Sequence, residues 1–186
     1  MTVGDFAQIV TDALPYTPNE QQRLVIAALA RFCSSQTPSD SVFLLNGYAG
    51  TGKTSLTGAL VKALTAVRIP VVLLAPTGRA AKVFSSHARH PAFTIHRKIY
   101  RGDSTSITGA SAMLQDNRLT NAVFIVDEAS MIGNSNVDSA GNPTTGLLED
   151  LLQYVFTGTN CRLILIGDIA QLPPVGSTVS PAMDVK

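Results

Sequence analysis

Long apolar runs are missing from this sequence: no stretch approaches the roughly eighteen consecutive apolar residues that a membrane span needs. Nor do its first residues, MTVGDFAQIVTDALP, resemble an export signal, since acids stand where such a signal carries bases, and a cytoplasmic protein is expected. Cysteine is scarce. Cys33 and Cys161 each sit in an apolar run without C-x-x-C spacing, which predicts buried free thiols and argues against a disulfide or a thiolate metal site. His87, His90 and His96 have no cysteine or carboxylate at ligand spacing, so a zinc site is not expected either. With 186 residues and 45% hydrophobic composition, the chain can build one sizeable core but not two α/β domains. A single domain over 1–186 is predicted.

Net charge is nearly absent at +1, yet the charges are unevenly placed. From Lys62 to Arg118 nine basic residues (Lys62, Arg68, Arg79, Lys82, Arg89, Arg97, Lys98, Arg101 and Arg118) face only Asp103 and Asp116, which leaves this third at about +7. Phe93, Ile95, His96, Ile99 and Tyr100 are interleaved among those bases, a mixture suited to base stacking and phosphate pairing.

The chain is organised around residues 42–57, VFLLNGYAGTGKTSLT, which satisfy G-x-x-x-x-G-K-[ST] from Gly47 to Thr54. This is a phosphate-binding loop. Gly47, Gly50 and Gly52 release the backbone from Cβ restrictions and let its N–H groups approach a nucleotide's phosphates. Lys53 brings a point charge to the β and γ phosphates and Thr54 a hydroxyl to Mg²⁺, at the start of a helix predicted over 55–65.

A second buried strand, VVLLA at 71–75, leads into PTGRAAKVF, so strand, loop and helix recur. In an open parallel sheet the loops at the carboxyl ends of strands carry function, which sets Thr77, Gly78, Arg79 and Lys82 on the rim that holds the phosphate loop. A third strand, 123–126, ends in Asp127 and Glu128. Asp127 can hold Mg²⁺ through its water shell, and Glu128 can orient and polarise an attacking water. A fourth, CRLILIGD at 161–168, leads to Gln171, whose carboxamide is placed to sense a γ phosphate.

Elsewhere, apolar spacing predicts helices over 5–14, 19–32 and 146–156, the second with Gln21 and Gln22 in its first turn, where a carboxamide can meet an adenine edge. Residues 101–121 are polar and poorly periodic, an insertion that forms at most a small hairpin, and 133–146 is a long Gly/Asn/Ser-rich loop.

Six blocks now stand in order: Thr17 to Gln22, GYAGTGKT at 47–54, APTGRAAK at 75–82, TIH at 94–96, IVDEAS at 125–130 and IGDIAQLPPV at 166–175. They resemble the Q motif and motifs I, Ia, Ib, II and III of superfamily 1 DNA helicases, most of all the RecD/Dda-like 5′ to 3′ branch. The resemblance implies an α/β three-layer sandwich with a mainly parallel sheet, the first RecA-like P-loop NTPase domain of an ATP-dependent helicase, with the N-terminal helices and Q motif in 1–40. It implies that Gln21, with Gln22 as the fallback, contacts adenine, and that Gly47, Gly50, Thr51, Gly52, Lys53, Thr54 and Ser55 hold the phosphates of ATP. Thr54 and Asp127 would bind Mg²⁺, Glu128 would handle the water, and Gln171 would couple the γ phosphate to movement. Thr77, Arg79, Lys82, Thr94 and His96 would line the path of single-stranded DNA.

Helicases of this kind close a second RecA-like domain over the nucleotide and draw an arginine finger from it. These residues hold no second phosphate-loop pattern and no arginine for that role beyond Arg162, itself in a predicted core strand. Nucleotide binding with poor hydrolysis, and no unwinding by this chain alone, is therefore expected. The alternatives are a stand-alone P-loop regulatory ATPase, which would need no further domain, and a nucleic-acid-binding module without ATPase activity.

Overall fold

A computed structural model of the chain describes residues 1–34, 37–38, 40–101, 113–133, 146–168 and 180–183. Five strands, β1 (Val42–Asn46), β2 (Val71–Ala75), β3 (Ala92–Thr94), β6 (Val123–Val126) and β7 (Arg162–Gly167), form one sheet in the order β1-β7-β6-β2-β3. Every pairing in it is parallel. Parallel strands covered on both faces are apolar throughout instead of alternating, and β6 and β7 are buried at every position.

The side chains of these strands divide the core into two layers. Leu73, Ile125 and Ile164 face one way, against α1 (Val3–Asp12), α2 (Glu20–Phe32), α3 (Lys53–Ala66) and α4 (Gly78–Ala88), which contribute Phe6, Leu29, Leu60 and Phe84. Leu74, Phe124 and Leu163 face the other, against α5 (Ile95–Ile99) and α6 (Leu147–Thr157) through Ile95, Ile99, Leu151 and Val155. Helix, sheet and helix make the three-layer α/β sandwich. No described helix is long and apolar enough to cross a membrane.

Local chemistry fixes where the helices begin. α1 starts two residues before the predicted position because Thr2 and Asp5 form a reciprocal capping box, with Asp5 N–H donating to Thr2 Oγ1 at 3.1 Å and Thr2 N–H to Asp5 Oδ2 at 2.7 Å. Asn19 and Gln22 do the same for α2. β3 and α5 have no periodic signature to announce them. Three residues after Pro91 become a strand only because β2 offers a partner, and Thr94 then caps α5 through Arg97 N–H at 3.2 Å.

The insertion is anchored by a short antiparallel pair, β4 (Tyr100–Arg101) with β5 (Met113–Leu114). Residues 102–112, residues 134–145 of the predicted loop over 133–146, and Gln171 lie outside the described residues.

Candidate nucleotide site and nucleic-acid groove

The phosphate loop leaves β1 at Asn46 and returns as α3 at Lys53. Gly50 (φ +81°) and Gly52 (φ +89°) occupy the left-handed region, and a Cβ on Gly52 would stand 2.8 Å from both Gln22 Nε2 and the Tyr16 hydroxyl. Gly47 is different. Its φ is not positive, and a Cβ there would press on Thr51 Oγ1 at 3.1 Å, so crowding and not backbone handedness favours glycine at this position. The first turn of α3 contains no acid and receives no side-chain cap, in contrast to α1 and α2. Its N–H groups and positive dipole end suit an anion.

Lys53 opens that turn. Its Nζ donates to the carbonyls of Gly47 and of Tyr48, the latter at 2.8 Å, and lies 3.9 Å from Asp168 Oδ2. Gly47 N–H reaches across to the Gly167 carbonyl at 3.3 Å, so the loop is tied to the end of β7. Thr51 turns inward on the loop, with its Oγ1 on the Tyr48 carbonyl at 2.8 Å. Thr54 is exposed and Ser55 half-buried beside it, and both line a narrow crevice with Lys62 and His87.

Asp127 and Glu128 follow β6, the neighbour of β7. Burial raises the pKa of Asp127, against the lowering effects of the Glu128 N–H, which it accepts at 2.9 Å, and of Lys53 and His87. Glu128 is also raised, by burial and by the neighbouring Asp127, while Arg79 opposes the shift. A divalent cation would relieve both carboxylates. The described residues contain no group of three or more His, Cys, Asp or Glu able to hold a metal, so Thr54 and Asp127 would supply one hydroxyl and one carboxylate, with phosphate and water completing the shell. That oxygen-poor protein set fits Mg²⁺, which keeps most of its ligands from substrate and solvent.

Of the two candidate glutamines, Gln22 faces the loop: its Nε2 donates to the Thr51 carbonyl at 3.1 Å and its Oε1 accepts from Asn19 N–H at 3.1 Å. Gln21 is exposed on the next position of α2. Arg162 is buried in β7 and donates to the Ser34 and Thr37 carbonyls at 3.0 Å each.

Beyond β2, a groove of about 440 Å³ runs between α4 and β3. Lys82, Ser85, Phe93, Thr94 and Arg97 line it, with Phe93 38% exposed. Lys82 and Thr94 thus meet in one groove. Thr77 is spent locally, accepting Ala80 N–H at 3.2 Å as the N-cap of α4, and exposed Arg79 is within electrostatic reach of Glu128. His96 stands apart from the groove lining, its ring 5.7 Å from that of Tyr100.

A family profile described as an AAA domain matches residues 17–181. The chain belongs to that family. Two relatives are the ATP-dependent RecD2 DNA helicase of Deinococcus radiodurans, 32% identical over 75% of this chain and 17% of that protein, and an ATP-dependent DNA helicase Pif1 of Psychrobacter sp., 30% identical over 72% of this chain and 20% of that protein. An uncharacterized Methanocaldococcus jannaschii protein, MJ1519, is 31% identical over 73% of this chain. The chain spans 12% to 20% of the length of these three. The crystal structure of the Pif1 helicase from Candida albicans shares the fold, with a TM-score of 0.53 and 20% identity over 90% of this chain and 37% of that one. This AAA domain is a first RecA-like domain of the superfamily 1, RecD/Pif1-like kind.

Three contributors to the AAA-domain site carried no assigned role in the sequence. Asp168 is buried beside Lys53, Tyr16 packs on Gly52, and His87 comes within electrostatic reach of Asp127. Asp168 had a signal, its place at a strand's end next to Gly167. The other two had none, because Tyr16 lies in a connector and His87 on a helix that only the fold turns towards the acids.

Proposed function

We propose that this chain is the ATP-binding motor domain of an ATP-dependent DNA helicase that moves along single-stranded DNA. The observation that carries this reading is adjacency: Lys53, Asp168, Asp127 and Glu128 gather at the carboxyl ends of β1, β7 and β6, and the basic groove begins at the next strand, β2.

The loop N–H groups and Lys53 hold the triphosphate, for which Lys53 must leave the carbonyls of Gly47 and Tyr48. Gln22, already at the loop, is the better placed adenine contact than Gln21. Thr54 and Asp127 hold Mg²⁺, which when bound neutralises charge on the β and γ phosphates. Glu128 orients the attacking water and accepts its proton, and Gln171 relays the state of the γ phosphate. Lys82, Thr94 and Arg97 pair with backbone phosphates while Phe93 offers a face for base stacking. Thr77, Arg79 and His96, the other residues expected on the strand's path, lie outside this groove lining, Thr77 as the cap of α4.

Arg162 is held by carbonyls in the core and cannot act as an arginine finger. Such a group is worth about three to five decades in rate, so this chain should turn over slowly without a second RecA-like domain. The test is ATP hydrolysis by this chain with and without a single-stranded oligonucleotide, beside direct nucleotide binding. Mg²⁺-dependent ATP binding with slow hydrolysis supports the reading. Rapid hydrolysis indifferent to DNA would instead favour a self-sufficient ATPase.

A further inference from the structure

We propose that Ser180 is a positioning residue for hydrolysis: its hydroxyl clasps the turn that follows the acidic pair and so fixes where the Glu128 carboxylate points. The inference rests on the motor reading above, in which Glu128 handles the attacking water, and adds the residue that aims that acid.

Glu128 needs holding. Its backbone is left-handed (φ +53°, ψ +37°), a conformation that residues with a Cβ seldom adopt and keep only where their surroundings enforce it. The Glu128 carbonyl accepts Met131 N–H at 3.0 Å, which closes a tight turn at Ala129–Met131, and the Ala129 carbonyl accepts Ile132 N–H at 3.0 Å. Where this turn moves, the backbone of Glu128 moves with it. Asp127 is held separately, since its N–H donates to the Leu74 carbonyl at 3.0 Å and so belongs to the sheet.

Ser180 holds the turn from outside. It is 4% exposed, and its Oγ stands 3.3 Å from the Ala129 carbonyl oxygen and 3.1 Å from that of Ile132. A hydroxyl has one hydrogen, so the two carbonyls share it in a three-centre bond that spans the turn.

Met183 does a different job in the same short segment. Its N–H donates to the Ser180 carbonyl at 2.9 Å, and its side chain covers the end of β7, where a Cβ on Gly167 would stand 2.5 Å from Met183 Sδ. Gly167 in turn receives Gly47 N–H from the phosphate loop. Ser180 therefore bears on the acid and Met183 on the strand end beside the loop, which makes the two roles separable. A base works only within hydrogen-bond reach of its water, and an error of about 1 Å can cost about a hundredfold in rate. Freeing the turn should thus impair hydrolysis while Lys53, Thr54 and Asp127 still bind MgATP.

The experiment is single-turnover hydrolysis of ATP by this chain in excess over nucleotide, with ATP affinity and melting temperature measured on the same samples. Ser180→Ala should lower the rate constant at saturating MgATP by about tenfold and leave ATP affinity within about twofold. Ser180→Thr, which keeps the hydroxyl, should retain more of the rate. Met183→Ala loosens the same segment without removing the hydroxyl, so it should lower the melting temperature with no comparable fall in rate. An unchanged rate in Ser180→Ala, or equal falls in Ser180→Ala and either of the other two variants, would overturn the inference. Glu128→Gln tests the reading beneath it: hydrolysis as fast as wild type would show that Glu128 does not handle the water, whatever Ser180 does.

Discussion

Lys53 illustrates how little an individual site residue contributes to the fold that holds it. Its ammonium bonds to two loop carbonyls and faces buried Asp168 at 3.9 Å, and those carbonyls can turn to water when the amine is removed. Lys53→Ala should therefore abolish nucleotide binding in calorimetry while lowering the ligand-free melting temperature by only a few degrees, a cost of about 1 kcal/mol. Loss of folding instead would defeat its assignment to phosphate. Asp127 behaves in the opposite sense. Burial raises its pKa above the ordinary 3.8, and Glu128 is raised above 4.5, so the fold prefers both protonated. Their contribution to ligand-free stability is full below those ordinary values and is lost as pH rises through the raised ones. Asp127→Asn should raise the neutral-pH melting temperature of the ligand-free protein, flatten its dependence on acid pH, and remove the gain in nucleotide affinity that Mg²⁺ provides. Retention of that gain would rule Asp127 out as a metal ligand.

At the scale of elements, the insertion depends on polar contacts at its base. Asn117 is buried, donates to the Val155 carbonyl at 3.0 Å, and accepts from Leu119 N–H at 3.0 Å, which fastens the returning arm to the end of α6. The outgoing arm is fastened by the Tyr100 hydroxyl, which donates to Asp150 at 2.5 Å, and by Gln115 Nε2, which donates to the Tyr100 carbonyl at 2.6 Å. Asn117→Ala removes a buried donor to the Val155 carbonyl, which Gly158 N–H still reaches at 3.2 Å, and leaves the half-buried Leu119 N–H without its acceptor. It should lower stability by about 1–3 kcal/mol in urea unfolding. Nucleotide affinity should hold, because the arm meets the sheet far from the phosphate loop, and a loss of both together would place the insertion in the nucleotide site. The insertion was legible as polar and aperiodic, but its anchor was not. Asn117 pairs with residues about forty positions on, and such partners leave no local pattern.

For the whole molecule the net charge of +1 is a poor guide, since Lys82 and Arg97 share one groove while acids lie elsewhere. Affinity for an oligonucleotide should fall linearly in log–log plots against salt, and Lys82→Gln or Arg97→Gln should each reduce that slope by about 0.7, as for one phosphate contact on a single strand. An unchanged slope in both variants would remove the groove from the path of the strand. The fold itself was largely written in the chain. Four short apolar runs, each ending in candidate site residues, can be buried on both faces only in a parallel sheet with helices on either side, and Gly50 and Gly52 set the turn of the loop between β1 and α3 through local backbone rules. What required the tertiary structure was everything settled by contacts between distant segments. β3 exists because β2 offers it hydrogen bonds, Gln22 instead of Gln21 meets the loop because of how α2 is rotated against it, and Lys53 meets Asp168 because β1 and β7 are neighbours. Periodicity and backbone preference act over a few residues and can be read in order. Which strand lies beside which is decided by the core as a whole, and the neighbours of each side chain follow from that.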